Sequence, residues 1–336
     1  MQEKVFDVGI VGATGYTGLE LVKILQTHPN FNLVYIANSE GGTTINKLHP
    51  SLNGVCEDEV HKADIATMAQ RCALVFLALP HKTAMAYVQP LREAGVKVVD
   101  LSADYRLPLD IYEEFYTQHT DIDNLHHCAY GLPELFKKEI QHADLVANPG
   151  CFPTSAILGL LPFLEYRIAN TPIIIDAKTG VSGAGKKLSD TTHFVHVNDN
   201  LFAYNPLKHR HAPEIAHKIG VTFDDVHFVP HLVPVTRGMI SSIYIQVQGE
   251  FDPFALLQEY YKDAPFVRVV DRPVDMKNVA GTNFCDIYVQ QKGSVVFIAS
   301  AIDNLMRGAS SQAVVNANLM MGLEEGVGIP TTAYVP

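Results

Sequence analysis

Apolar residues follow two different rhythms along this chain, and the change between them divides it. Up to residue 150, short unbroken apolar runs at 5–11, 33–37, 74–79, 96–101 and 143–147 are spaced by segments of mixed polarity. Runs of that length and continuity suit strands buried on both faces, as in a parallel sheet covered by helices. Between the first two, Leu19, Leu21, Val22, Ile24 and Leu25 mark a helix that stops at His28-Pro29, where the proline disfavours helical backbone before it. Beyond residue 150 an apolar helix over 155–164 is followed by strands at 173–177, 226–229, 239–247, 284–290 and 295–302. Several of these alternate apolar and polar residues, as a sheet with one wet or partner-facing side would. The last two pair as a hairpin through Lys292-Gly293, and Asp252-Pro253 opens a helix over 252–263. An amphipathic helix over 305–325, rich in Ala, Leu and Met, closes the chain.

The pattern predicts an α/β protein. A Rossmann-type dinucleotide-binding domain comes first, then an α+β catalytic and oligomerisation domain with a mixed, largely antiparallel sheet. A length of 336 residues exceeds what one core usually spans, which agrees with two domains. A formal charge of −11 argues against nucleic acid as a partner, because a phosphate backbone requires a basic surface. Five widely spaced cysteines, an odd number, suit a reducing compartment better than a disulfide framework. No signal-peptide pattern follows Met1, and no apolar run approaches the roughly 20 residues of a membrane span. The expected location is the cytoplasm, with no membrane association.

Candidate chemistry sits at the ends of the predicted strands. The first runs into Gly12-Ala13-Thr14-Gly15-Tyr16-Thr17-Gly18, a strand-to-helix turn of the kind that lets backbone approach a pyrophosphate at a helix N-terminus. The second ends at Asn38-Ser39-Glu40, where such folds read the adenosine ribose. Ser39 could serve a 2′-phosphate and Glu40 opposes one, so local chemistry leaves NAD and NADP open. Later strands end at Pro80-His81 and at Asp104-Tyr105-Arg106. Arg106 is a carboxylate or phosphate clamp or a surface ion pair, and Tyr130 to Glu134 reads as a turn.

Asn148-Pro149-Gly150-Cys151-Phe152-Pro153-Thr154 then puts Cys151 at a helix start, where unpaired amides and the helix dipole favour a thiolate. The alternative is a small buried cysteine filling a gap. A second glycine-rich loop, 179–186, has no long apolar helix after it and suits a cover over nicotinamide or substrate. Lys208-His209-Arg210-His211 precedes a helix with a proline in its first turn. Two histidines two apart suit a metal or an anion. No third ligand falls at a familiar spacing, so no metal is expected, and one histidine as acid/base beside Cys151 is more economical.

Taken together, VGIVGATGYTG at 8–18, FLALPH at 76–81, DLSADYRL at 100–107, YGLPEL at 130–135, ANPGCFPT at 147–154, DAKTGVSGAGKK at 176–187, HRHAPEI at 209–215, PHLVPVTRGM at 230–239, NFCDIYV at 283–289 and SAIDNLMRGA at 300–309 cover nearly the whole chain. In that order they resemble the N-acetyl-γ-glutamyl-phosphate reductases, the arginine-biosynthesis branch of the aspartate-semialdehyde dehydrogenase-like group. The resemblance implies Cys151 as the acyl-accepting nucleophile, His211 as the acid/base and NADP(H) in the Gly12 to Gly18 turn. It implies a cofactor-binding domain of residues 1–150 and 305–336, discontinuous because the last helix returns to it, and a catalytic and oligomerisation domain of 151–304. Where the family often has Ser-Arg after the second strand, this chain has Ser39-Glu40.

The cofactor is expected to touch Gly12, Thr14, Gly15, Tyr16, Thr17, Gly18, Ser39, Pro80, Ser182, Gly183 and Asn304. Arg106, with Asn148 and Arg237, is expected at the phosphate, and His209 is expected to position the substrate. The reading is an NADPH-dependent reduction of a small acyl phosphate by a homo-oligomer, dimer or tetramer. Rivals are the same chemistry on aspartyl or N-acetyl-aminoadipyl phosphate, a thiol hydrolase or acyltransferase using Cys151 and His211, and a cofactor-sensing regulator.

Overall fold

Residues 4–169, 171–249 and 251–334 are described by the structure, a computed structural model. The chain divides into two compact units. One ends at Pro149 and takes up again over Ala309–Pro330; the other is Gly150–Gly308 with the segment from Thr331.

The first unit is built on β1 (Phe6–Val11), β2 (Phe31–Asn38), β3 (Thr43–Thr44), β4 (Glu59–Lys62), β5 (Leu74–Leu77), β6 (Lys97–Asp100), β7 (Ala129–Tyr130) and β8 (Leu145–Ala147). They form one sheet in the order β3-β4-β2-β1-β5-β6-β8-β7. Only the β3–β4 pair is antiparallel; β1, for example, runs parallel to β2 and to β5. Val8, Ile10 and Val11, and Leu74 to Leu77, are buried throughout, which is what their unbroken apolar runs require of strands covered on both faces. The order reverses beside β1, with β2 on one side and β5 on the other, so the turns after Val11 and Leu77 border a topological switch point. The edge strands β3 and β7 are two residues each, too short to leave a periodic signal, and Tyr130, read as part of a turn, pairs with Ala147 in β7.

The second unit carries β9 (Ile173–Gly180), β10 (Phe202–Ala203), β11 (Val226–Val233), β12 (Met239–Gln246), β13 (Val267–Val269), β14 (Cys285–Lys292) and β15 (Val295–Ile302). Their order is β10-β11-β9-β12-β15-β14-β13. The central pairs β9–β12, β12–β15 and β14–β15 are antiparallel, and β9–β11 and β13–β14 are parallel. The helix Cys151–Leu160 packs on one face: Ser155 Oγ bonds Ser241 Oγ at 2.9 Å. A Cβ on Gly159 would meet Ile243 at 3.0 Å and Ile298 at 3.2 Å, so glycine there sets how closely helix and sheet approach. The opposite face holds an apolar row in register, Ile174, Tyr244 and Phe297, with Ile174 and Tyr244 exposed.

Two expectations change. The closing helix runs only over Ser311–Met320, after a π-helical turn at Met306–Ser310, and every residue of it is buried. It is not amphipathic, because its polar side chains serve the interior. Asn316 donates to the Gly131 carbonyl at 2.9 Å and to Asn148 Oδ1 at 3.0 Å, and Asn318 donates to the Val327 carbonyl at 2.8 Å. The segment 305–336 also does not return to the first unit as a whole. Asp303 Oδ1 accepts the Leu305 and Met306 N–H groups, and the Tyr334 N–H donates to the Ala280 carbonyl, ties that keep both ends with the second unit.

Candidate active site

Cys151 is the first residue of its helix, with Gly150 as an extended N-cap (φ −66°, ψ 153°) that contributes no side-chain cap. Its side chain is partly exposed, not sealed in packing. The Thr154 N–H bonds the Gly150 carbonyl at 2.9 Å and closes the first turn, in which Pro153 has no N–H to offer. Gly308 lies against the nucleophile: a Cβ there would fall 2.7 Å from the Cys151 Cβ.

A second helix, His211–Ile219, begins on the other candidate. The His211 N–H donates to His209 Nδ1 at 3.2 Å. Phe152, next to the cysteine, packs edge-on against both imidazoles with ring centroids 5.8 Å away, and the two imidazoles are 4.8 Å apart. Tyr204 and Phe228 enclose His209 further, at 5.5 and 5.3 Å. Burial first, then the Arg210 charge, pushes His209 down to about 4. His209 is therefore neutral at physiological pH. Since its Nδ1 accepts a hydrogen bond, its proton sits on Nε2, where it is a donor. Burial raises the Tyr204 phenol, and the charge of Cys151 adds to that rise, so phenol and sulfur sit within electrostatic reach. Glu214, buried one turn after His211, accepts the Gly150 N–H at 3.0 Å.

In the first unit the turn after β1 has the form a pyrophosphate requires. Gly12 has φ +97°, and a Cβ would lie 2.2 Å from the Ala78 carbonyl oxygen. At Gly18 a Cβ would meet the Gly12 carbonyl at 2.5 Å, so this glycine sets the packing of helix on strand. Gly15 is different: the nearest protein atom to an added Cβ is 3.8 Å away, leaving room for a ligand to approach the backbone at the helix start. These residues fit a dinucleotide. Around them Thr14 Oγ1 accepts from Asn38 Nδ2 at 3.2 Å, the Thr17 carbonyl accepts from Ser310 Oγ at 2.9 Å, and Tyr16, Ser39, Glu40 and Pro80 are exposed. Asn38 Oδ1 also caps the turn after β2, accepting the Glu40 and Gly41 N–H groups at 2.9 and 2.6 Å.

Several polar residues expected at ligands are occupied by the protein itself. Asn148 gives its amide to the closing segment, Nδ2 to the Ala309 carbonyl at 3.1 Å and Oδ1 to Asn316, which leaves it a tie more than a phosphate ligand. Asn304 spans Gly238 N–H at 2.8 Å and Ser182 Oγ at 2.9 Å, so its amide and Ser182 help to build the loop. A Cβ on Gly183 would lie 3.2 Å from Thr179 Oγ1, so its place is set by packing. Arg106 is buried and donates to the Asn148 and Leu101 carbonyls, both at 2.8 Å, which removes the surface ion pair from consideration. Arg237 reaches Asp303 Oδ2 at 3.3 Å and stacks on Tyr334 at 5.5 Å. Among the described residues no group of three or more His, Cys, Asp and Glu side chains could hold a metal ion.

Residues 7–143 match the family model of the semialdehyde dehydrogenase NAD binding domain, and residues 151–304 that of the semialdehyde dehydrogenase dimerisation domain. The N-acetyl-gamma-glutamyl-phosphate reductase of Sulfurimonas denitrificans is 72% identical over 98% of this chain and 99% of its own length. The chain belongs to the N-acetyl-gamma-glutamyl-phosphate reductase family. Another member of that reductase family, from Sulfurovum sp., is 56% identical over 98% of the chain and 99% of its own length. Among solved structures, aspartate semialdehyde dehydrogenase II of Vibrio cholerae superposes with a TM-score of 0.72 over 95% of this chain and 99% of its own. At 17% identity that likeness speaks for the fold alone.

The position of Cys151 at a helix start singles it out in the sequence and the family resemblance singles out His211, but neither marks Glu214 or Gly308. Both lie inside motif blocks already singled out, HRHAPEI and SAIDNLMRGA, and an acidic residue amid apolar neighbours was the available signal for Glu214.

Proposed function

We propose that this reductase converts N-acetyl-glutamyl 5-phosphate to N-acetyl-glutamate 5-semialdehyde with NADPH, in arginine biosynthesis. The observation that carries the reading is a partly exposed cysteine on the first residue of one helix, sharing Phe152 as a neighbour with a histidine that starts another. The Cys151 thiolate attacks the acyl carbonyl and phosphate leaves, forming a thioester. The Gly12 to Gly18 turn would hold a nicotinamide cofactor, whose reduced form would supply the hydride equivalent that the thioester carbonyl accepts. Cys151 leaves from the resulting thiohemiacetal, with His211 handling the proton, and the aldehyde is released. Amides at the start of the cysteine's helix stabilise charge developing on the carbonyl oxygen. His209, neutral with a proton on Nε2, donates a hydrogen bond to the substrate. Arg106 and Arg237 attract the phosphate by charge. Loop 182–186 excludes water that would hydrolyse the thioester.

Mass spectrometry of the protein after exposure to acyl phosphate without reduced cofactor tests this. An acyl adduct on Cys151 is expected; its absence removes the mechanism. NADPH consumption with acyl phosphate separates the reductase from a thiol hydrolase, which consumes none.

Among the described residues no helix is long and apolar enough to cross a membrane, and we place the enzyme in the cytoplasm. The second unit carries the dimerisation domain of its family model, and the enzyme is a homo-oligomer. The row Ile174, Tyr244 and Phe297, of which Ile174 and Tyr244 are exposed, is the surface on which we pair two copies into a dimer.

A further inference from the structure

Gly150 is held from both sides. Its carbonyl accepts the Thr154 N–H at 2.9 Å within the cysteine's own helix, and its N–H is taken by Glu214 Oε1 at 3.0 Å from the helix that begins with His211. A glycine N-cap has no side chain to accept the free N–H groups of the first turn; Glu214 takes a different donor, the N–H of Gly150 itself, and so holds the peptide that leads into the Cys151 helix. Glu214 is 1% exposed and stands three residues after His211, on the same side of that helix. One short helix therefore presents the histidine and grips the peptide immediately before the sulfur. Phe152, just after the sulfur, packs on the His211 ring, and a Cβ at Gly308 would fall 2.7 Å from the Cys151 Cβ, so a side chain there would displace the cysteine.

We infer that Glu214 is a positioning residue: by holding the Gly150 peptide it sets where the Cys151 sulfur stands relative to His211. This rests on the proposed thioester chemistry and adds to it a residue that does not touch the reacting atoms. The role is geometric. What Gly150 requires is a buried acceptor at the right reach, and a neutral amide oxygen supplies one as well as a carboxylate does.

The test uses the full enzyme in steady state and by rapid quench, scoring the acyl adduct on Cys151. E214A is expected to lower kcat and the rate of adduct formation together, by about tenfold to a hundredfold, the scale of a misplacement near 1 Å. KM for the acyl phosphate and the dissociation constant of NADPH should stay within about twofold, because neither site is removed. E214Q, which keeps the acceptor, should restore most of the loss. Should E214A fail to fold, E214D carries the comparison: it keeps the charge, falls short in reach, and should be slow where E214Q is not. A lower Tm in E214A with kcat near wild type would reduce Glu214 to a fold residue and overturn the inference. So would E214Q as slow as E214A, which would assign the effect to charge. Failure of the wild type to form any Cys151 adduct would instead overturn the thioester reading itself.

Discussion

At Cys151 the decisive feature is position: first in a helix, partly exposed, with Gly308 kept free of a side chain beside it. Cys151→Ser should retain NADPH binding, measured by fluorescence titration, and lose reduction, since a hydroxyl there is a far weaker nucleophile. A near-normal rate would remove the mechanism. His209 and Asp100 set opposite pH dependences of stability. His209, held near 4 by burial and Arg210, stays neutral while the unfolded residue protonates, so its contribution is present above about pH 6.5 and lost as pH falls toward 4. Asp100 is wholly buried, and that burial, reinforced by Asp104 and opposed by Ser102 and Arg106, raises it to about 7. Its neutral form is the one the fold favours, so stability drains as pH rises from about 4 through 7, by at most about 1.4 kcal/mol per pH unit. Asp100→Asn should therefore raise Tm relative to the parent more at pH 8 than at pH 5; a gain larger at pH 5 would contradict this.

On the scale of elements, the proposed binding chemistry rests on the turns after the strands. Gly12→Ala asks for a strained φ and places a carbon against the Ala78 carbonyl, so loss of NADPH binding, or of soluble protein, is expected. In the turn after β2, Ser39 and Glu40 are both exposed beside the Asn38 cap. Glu40→Arg should lower KM for NADPH more than for NADH, because it replaces repulsion of a 2′-phosphate with attraction. Steady-state kinetics with both cofactors decides it, and an unchanged ratio would mean Glu40 does not face that phosphate. The loop after β5 is strapped by Asp104, which accepts the Lys82 N–H at 2.7 Å and the Ala84 N–H at 3.1 Å. Asp104, the second acid of DLSADYRL, is thus a loop anchor that the motif alone does not distinguish from a ligand.

For the whole molecule, the apolar row on the second unit's open sheet face gives a prediction about assembly. Tyr244→Glu puts a charge in the middle of that row and should shift the particle toward monomers in light scattering coupled to size exclusion. An unchanged mass would move the interface elsewhere. The kind of sheet in each unit was legible, because continuous apolar runs mark doubly covered strands and alternation marks a half-covered sheet; the order of the strands was not. Nor was the closing segment. Asn316 and Asn318 look like a helix's solvent face until their partners at Gly131, Asn148 and Val327 are known, and the two that hold Asn316 lie far away in the chain.

By itself the sequence determined the two rhythms, the glycine turn after the first strand, and a cysteine and a histidine that each open a helix, since backbone permissiveness and apolar spacing are local properties. Only the tertiary structure decided which polar groups are used up by the fold and which remain for a ligand. Asn148, Asn304 and Glu214 have the same hydrogen-bonding capacity wherever they stand. Their roles as ties come from partners about 65 to 170 residues away that only folding brings within 3.1 Å.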